Sequence, residues 1–436
     1  MKALKRTPLL SGILLLTGSV IGLAGLQYFM PPSFDNPPGV NQAGIAHFRN
    51  VMAMAPVAPM GVSAFSWTFR VLLAGAWIGY GMILLGGYRY EGRPGTLTLP
   101  AIGSIAVLVA LLFPPSLSSD VYAYAGWGRM WVLHGWNPYV RTLGSLAEIG
   151  DPAGLIAPVG ASTTHGPVWI VIVCAVVGLL RSAGLWTQVV ALKLLAAAAV
   201  LATAASGRAI ASHHDSRRAE LALLAIGFNP VFLIEGSGSG HNDILMAALM
   251  LSGIALCLKG RTRVGYLLLG LSIGIKFVSA AIVPWLIVQE VSRQPRGKRF
   301  VAAAVALGLV LAPIVVGYAA FHVQTNVFDG IKTVYEHQTA GGTPSVLWRL
   351  AVLLLLYGVL SIAVWRFDTP GLYLSCFALF TMTLIVIGAP VPFAWYMVWP
   401  LGASLVRWDR FGLKVNLACT ALAVLLLLSY TMPYAR

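Results

Sequence analysis

Apolar runs alternate with short polar links through almost the whole chain, and the runs are about 17 to 25 residues long, the reach of one helix across a bilayer. The pattern predicts an all-α polytopic membrane protein. Pro8 to Tyr28 reads as a retained first span with its N-terminus inside, since Lys2, Lys5 and Arg6 precede it and no clear small-x-small cleavage site follows. A weakly charged Pro- and Met-rich stretch over 30–65 is then an external loop, and Trp67 to Leu85 a second span. The link holding Arg89, Glu91 and Arg93 is basic and so cytoplasmic, which makes Leu97 to Phe113 an outward crossing. It delivers a segment of another kind. In SLSSDVYAYAGWGRMWVLHGWNPY, 116–139, two serines precede Asp120, and Tyr124, Trp127 and Trp131 recur at helical spacing. That spacing predicts an external amphipathic helix lying along the membrane surface.

The later runs are less regular. Two apolar runs within 167–206 lead to the basic link Arg208 to Arg218, and keeping that link cytoplasmic requires part of the region to be short or re-entrant. Glu220 to Ile234 is the next span. Basic clusters at Lys259 to Arg263 and Arg293 to Arg299 bracket a single apolar segment, so 264–290 is expected to be a re-entrant hairpin of two short helices meeting near Lys276. Non-helical backbone at membrane depth needs protein or a watery cavity to satisfy it, so the hairpin predicts a cavity. Val301 to Phe321 crosses outward, and an external loop over 322–344 carries His322, Lys332, Glu336 and His337. Val346 to Trp365 returns, two crossings flank GAPVPFAWYMVWP, and a last span follows the basic link Arg407 to Lys414. The sum is roughly 12 to 14 membrane segments in one integral membrane domain over 1–436, with 114–166 as its main external loop. No repeat of about 20 to 50 residues and no clear inverted repeat is visible, which disfavours the common transporter architectures.

Composition agrees with the pattern: 58% of residues are hydrophobic and 10% charged. The net charge of +15 does not imply nucleic acid, because most Lys and Arg sit in short links where they set topology and meet anionic membrane lipids. Cys174, Cys257, Cys376 and Cys419 lie inside or at the edge of apolar runs without paired spacing, as buried thiols do. His213, His214 and Asp215 resemble a metal cluster only superficially, on a cytoplasmic link. With no D-x-D pair, no H-x-x-x-H pair and no P-loop, no metal, nucleotide or other cofactor is indicated.

Ionisable groups at membrane depth or at its outer edge are functional candidates, since a charge at the bilayer centre costs about 2.5 to 3.5 kcal/mol on insertion scales. The outer face collects Asp120, Arg129, His165, His241 and Asp243, and Lys276 adds a cation from within the membrane. A carboxylate base beside cations suits transfer of a group from a phosphate-linked donor. Each residue also has a plainer reading. Asp120 and Asp243 fit helix caps, the Tyr and Trp stripe fits an interfacial belt, and Arg129 fits snorkelling to headgroups. Trp395 and Tyr396 suit either a belt or a lid over a lipid substrate. Lys276, between Ile275 and Phe277, has no structural role without a partner or water.

Taken in order, SSDVYAYAGWGRM, HGWNPY, HGPVW, NPVFLIEGSGSGHNDILM, GLSIGIKFVSAAIVPWLI and PFAWYMVWPL resemble the successive motifs of the polyprenol-phosphate-mannose-dependent α-1,6-mannosyltransferases of the GT-C class, over about 98–405. The resemblance implies an inverting multi-span enzyme of the cell membrane with its active site on the extracytoplasmic side. It implies a polyprenyl-phosphate sugar, most simply mannose, as donor, and a lipid-linked or glycan acceptor. Asp120 then matches the catalytic base. Lys276 and nearby basic groups match the phosphate site, and Tyr122, Arg129, Asn137, His165, His241, Asn242, Asp243, Trp395 and Tyr396 are the further substrate-binding candidates. A compact loop after the last motifs and no soluble C-terminal domain are expected, unlike the best-known members, so their acceptor is not carried over. A polyprenyl-lipid flippase or exporter is the competing expectation.

Overall fold

A computed structural model describes residues 2–31, 42–51, 57–89, 98–157, 162–321, 346–367, 369, 371–389 and 391–431. All regular structure among them is helical. The expected external loop 322–344 lies outside the described residues, as does the whole of the link 90–97 between the second and third spans.

Among the described residues six helices are long and apolar enough to cross a bilayer, within Pro8–Phe29, Val62–Tyr88, Leu185–His214, Arg296–Ala320, Leu347–Arg366 and Arg410–Ser429. A bent pair and five shorter apolar helices supplement them. The chain is a polytopic membrane protein. In order the elements are α1 Lys2–Leu26, α2 Gln42–Val51, α3 Val62–Arg89, α4 Thr98–Leu112, α5 Asp120–His134, α6 Gly144–Glu148, α7 Pro152–Ile156, α8 Pro167–Leu179, α9 Leu185–His214 and α10 Ala219–Gly227. There follow α11 Asp243–Leu258, α12 Thr262–Ile273, α13 Val283–Arg293, α14 Arg299–Ala320, α15 Val346–Arg366, α16 Leu372–Thr383, α17 Val398–Ser404 and α18 Arg410–Ser429.

Helix α9 is the hub, packed by α4, α5, α10 and α11, and α1 pairs with α3 to one side. That pair comes close because small residues meet: a Cβ on Gly12 would stand 2.7 Å from the Gly79 carbonyl oxygen. Close backbone approach through glycine is how helices associate where lipid supplies no hydrophobic drive between them.

The structure departs from the sequence reading in two places. The expected helix is present as α5, starting at Asp120, but it does not lie on a surface: Val121 to Gly128 are all buried, against α8 and α9 and under α7. Its aromatic stripe is core, with Tyr124 1% and Trp127 5% exposed, so no belt is needed to explain it. The span expected over Glu220 to Ile234 is broken: α10 ends at Gly227, and a π-helical turn, Phe232–Gly238, runs on from it at an angle of 56°. The Asn229-Pro230 dipeptide explains the break, since Pro disfavours a helical residue before it, and the Asn229 side chain accepts the Val231 N–H at 3.0 Å. Within 167–206 the expected short part is α8, with 13 residues beside the 30 of α9. The irregularity of 167–206 is thus one short helix beside one long one.

Helix α12 stops at Ile273, Lys276 is extended, and a 3-10 turn Phe277–Ile282 leads into α13. The break is stitched to the start of α8. Gly274 carbonyl oxygen accepts Val168 N–H at 2.9 Å, Ile275 carbonyl oxygen accepts Gly166 N–H at 3.2 Å, and Gly166 lies so tightly on the Gly274 carbonyl that no Cβ fits. A cavity of about 550 Å³ opens beside α13, lined by Trp285, Gln289, Tyr357 and Ser361 among others.

Candidate active site

Four stretches far apart in sequence converge at the first turn of α5. Ser118 sets the turn, its hydroxyl accepting the Asp120 N–H at 3.1 Å, while the Ser119 carbonyl accepts from Tyr122 and Ala123. The serines end the helix, and the Asp120 carboxylate is left to point elsewhere. Its Oδ2 lies 3.3 Å from His241 Nδ1 and 3.4 Å from the Tyr124 hydroxyl. The plain cap reading of Asp120 is therefore set aside. With 37% of its side chain exposed, the carboxylate is open beside the fully buried His241.

His241 comes from the link after the bent span. The link turns at Gly240, whose φ of 75° falls in the left-handed region that a side chain disfavours. Its imidazole is fully buried, stacked on Trp395 with centroids 4.2 Å apart, and its Nε2 stands 3.4 Å from Glu235 Oε2. Asn242 Oδ1 lies 3.3 Å from the Tyr124 hydroxyl, which joins this link back to Asp120.

Lys276 has a partner. Its ammonium donates to Asp243 Oδ1 at 2.7 Å and sits over the rings of Tyr396 and Trp399, at 4.9 and 5.1 Å. Trp399 Nε1 donates to the same Asp243 oxygen at 2.5 Å. Asp243, like Asp120, is the first residue of its helix, yet its carboxylate goes to these partners rather than to its own backbone. Trp395 and Tyr396 line the cluster and are 5% exposed and partly buried, so they are not a lipid-facing belt.

Electrostatics follows from the geometry. Low-polarity surroundings alone would raise the Asp120 carboxyl, but the hydrogen bond and charge of His241, with His165 and Lys276 behind it, hold it well below the usual carboxylate range. Burial alone would lower His241, but Asp120 and Glu235 raise it above the usual imidazole range. His165, packed edge-on against Tyr124 at 5.3 Å, is held down to about 4 by burial and then by the Lys276 charge, so it is neutral.

Three candidates stand apart. Arg129 is bound by Asp151, with Nη2 to Oδ2 at 2.8 Å and Nε to Oδ1 at 3.0 Å, and by Gln188 at 3.2 Å. It lies nine residues along α5, half a turn of the helical wheel away from Asp120. The fork also rules out a snorkelling arginine. Asn137 closes its own turn, accepting the Tyr139 N–H at 3.0 Å and donating to the Phe321 carbonyl at 2.6 Å. Tyr122 is buried and donates to the Gly44 carbonyl at 3.2 Å. Two members of the cluster escaped the sequence reading, Glu235 and Trp399. Glu235 had a signal, an acid inside the apolar FLIEG, but it fell one residue beyond a span taken to end at Ile234. Trp399 had none.

The arrangement offers an accessible ionised carboxylate, a buried imidazole oriented against it, and an ammonium framed by aromatic rings. The sequence profile of the family described as alpha-(1->6)-mannopyranosyltransferase, N-terminal domain, matches residues 19–292. The α-(1→6)-mannopyranosyltransferase A of Mycobacterium tuberculosis is 28% identical over 379 residues, covering 78% of this chain and 70% of its own length. The protein of the same name from Corynebacterium glutamicum is 29% identical over 235 residues, covering 51% of this chain and 45% of its own. No solved structure matches. The profile match takes in more than half of the chain, including Asp120, His165, Glu235, His241, Asp243 and Lys276, and the chain accordingly belongs to the α-(1→6)-mannopyranosyltransferase family, as a membrane glycosyltransferase.

Proposed function

We propose that the protein is a GT-C enzyme that moves a mannose, with inversion, from a polyprenyl-phosphate donor to a hydroxyl of a lipid-linked or glycan acceptor on the extracytoplasmic side of the cell membrane. One observation carries the reading: Asp120, exposed over 37% of its side chain, shares one cluster with His241 and the Lys276–Asp243 pair. A carboxylate with an open face suits the acceptor, and an ammonium one residue pair away suits a phosphate.

The acceptor oxygen attacks the anomeric carbon from the face opposite the phosphate, the bond from that carbon to the phosphate oxygen breaks, and the acceptor proton passes to Asp120. A carboxylate held this far below its usual range takes the proton late, once bond formation has made the hydroxyl acidic. Polyprenyl phosphate leaves with its own electron pair and needs no protonation by an acid. Its developing charge meets Lys276, which has three N–H donors and gives one to Asp243. The isoprenoid tail runs among the lipid-facing helices, and the remaining work is positioning, with base catalysis and charge stabilisation added.

Purified protein in detergent, given a short synthetic polyprenyl-phosphate mannose and a mannoside acceptor, is expected to release polyprenyl phosphate and form a new glycosidic bond of inverted configuration. A flippase or exporter leaves the donor intact under the same conditions, and that outcome would overturn the proposal. Mass spectrometry of lipid-linked and envelope glycans from a deletion strain then identifies the acceptor.

A further inference from the structure

Glu235 is a fully buried carboxylate on the π-helical turn Phe232–Gly238. Such turns are rare and cluster at functional sites. Its geometry is fixed by backbone: Ser239 N–H donates to the Ile234 carbonyl at 2.8 Å, Gly240 N–H to the Gly236 carbonyl at 3.1 Å, and His241 N–H to the Glu235 carbonyl itself at 3.2 Å. These bonds fold the link back over the turn and set the Glu235 carboxylate against His241 Nε2 at 3.4 Å, while Nδ1 faces Asp120 Oδ2 at 3.3 Å. Trp395 stacks on the ring at an interplanar angle of 17° and holds its plane.

An isolated buried carboxylate is strongly disfavoured, so an ionised Glu235 requires a cation in contact. Only His241 stands in an ion-pair contact with it among the described residues. We infer that Glu235 is a positioning residue of the transfer reaction: it holds His241 as an imidazolium whose Nδ1–H donates to Asp120 Oδ2, leaving Oδ1 for the acceptor hydroxyl. The inference rests on the reading of Asp120 as base. Asp120, His241 and Glu235 then carry one net negative charge, which the acceptor proton neutralises, so no further proton has to move through the buried pair during turnover. This is the orienting role that an outer partner plays for a histidine that must present one particular nitrogen.

The other groups around the ring do not replace Glu235. Asp120 comes from α5, Tyr124 from the same helix, His165 from the link before α8, Asp243 from the start of α11, Lys276 from the α12 break and Tyr396 from the turn before α17. Of these, Lys276 and Asp243 satisfy each other at 2.7 Å, and His165 is neutral. Asp120 is the other anion in contact, but it is the group that loses its charge as it takes the proton.

The sign of the pH effect is fixed. A histidine raised above its ordinary value is protonated below that raised value and loses its proton as pH climbs through it, so activity that needs the imidazolium has an alkaline limb. Glu235→Gln removes one of the two anions that raise the limb. Expected in purified enzyme are a roughly 10- to 100-fold lower kcat, a donor KM within about twofold, and an alkaline limb displaced to lower pH. A kcat that falls by the same factor at every pH, with the limb unmoved, overturns the inference. If Glu235→Gln does not yield folded protein, Glu235→Asp keeps the charge at shorter reach, and its limb is expected to move in the same direction by less; an unmoved limb there overturns it equally. Asp120→Asn run in parallel separates the two claims. An active Asp120→Asn sinks the base reading, whereas an inactive one beside an unmoved Glu235→Gln limb sinks only the role of Glu235.

Discussion

The two ends of helix α5 carry the same chemistry to opposite effect. At its C-terminal end Arg129 is locked into Asp151 and Gln188, and His134 Nε2 stands 3.2 Å from the same Asp151 oxygen. The side chains of Arg129 and Asp151 are 12% and 4% exposed. Fork and carboxylate satisfy each other, and Asp151 also accepts the Ala153 N–H to start α7. At the N-terminal end Asp120 has, among the described residues, partners on one oxygen only and an open side. A charge closed on all sides fastens loops, and one left open is free to meet a ligand. Residue type alone does not separate the two.

The largest effect that would break this contrast is at the closed end. Asp151→Ala strands a buried guanidinium and is expected to cost about 3 to 5 kcal/mol of stability, read as a lowered melting temperature in detergent. The double variant Arg129→Met with Asp151→Leu is expected to recover most of that loss, and the turnover of whatever remains folded should be close to wild type. If the recovered double variant lacks turnover, Arg129 belongs to the site after all. The pair also has a pH signature. Burial would raise the Asp151 carboxyl, but the bonds from Arg129 and the Ala153 N–H hold it below its ordinary value. Its contribution is therefore complete above about pH 4 and lost as pH falls through the folded value. Melting curves across acid pH should show a larger loss in the wild type than in the double variant, which keeps the other depressed carboxylates but lacks Asp151.

A smaller effect sharpens the open end. Lys276→Arg keeps the charge but puts a wide planar head where a compact ammonium sits between Tyr396 and Trp399, which is not a conservative exchange. The expected result is a donor KM raised about 10-fold, or about 1.4 kcal/mol, with little change in melting temperature. An unchanged KM would separate Lys276 from the phosphate. Smallest is Tyr122→Phe, which deletes the bond to the Gly44 carbonyl and is expected to cost about 1 kcal/mol of stability with no effect on KM. A raised KM there would bring Tyr122 into substrate contact.

Much of this was legible along the chain. Span-length apolar runs announce a membrane protein, Lys276 stands out as a charge between the apolar Ile275 and Phe277, and Asp120, His241 and Asp243 stand out as ionisable groups at the outer edge of membrane segments. The α12 break near Lys276 follows from two basic clusters too close for a single crossing. What stayed hidden is tertiary. The spacing of Tyr124 and Trp127 describes one helix face truthfully, but periodicity does not say whether that face meets lipid or protein, and here it meets His165 and Trp169. Arg129 looked available because its partner is 22 residues away in a short helix start. Glu235 was overlooked because a π turn carries the bent span past the residue where an α-helix was expected to end.

The central claim is that Asp120 is the base of the transfer, and purified Asp120→Asn in detergent tests it most directly. The amide keeps the shape and loses the charge. Mannose transfer from the polyprenyl-phosphate donor is expected to fall by roughly 10²- to 10⁴-fold, while the variant stays folded and still binds the donor. Full transfer by the folded variant would contradict that claim.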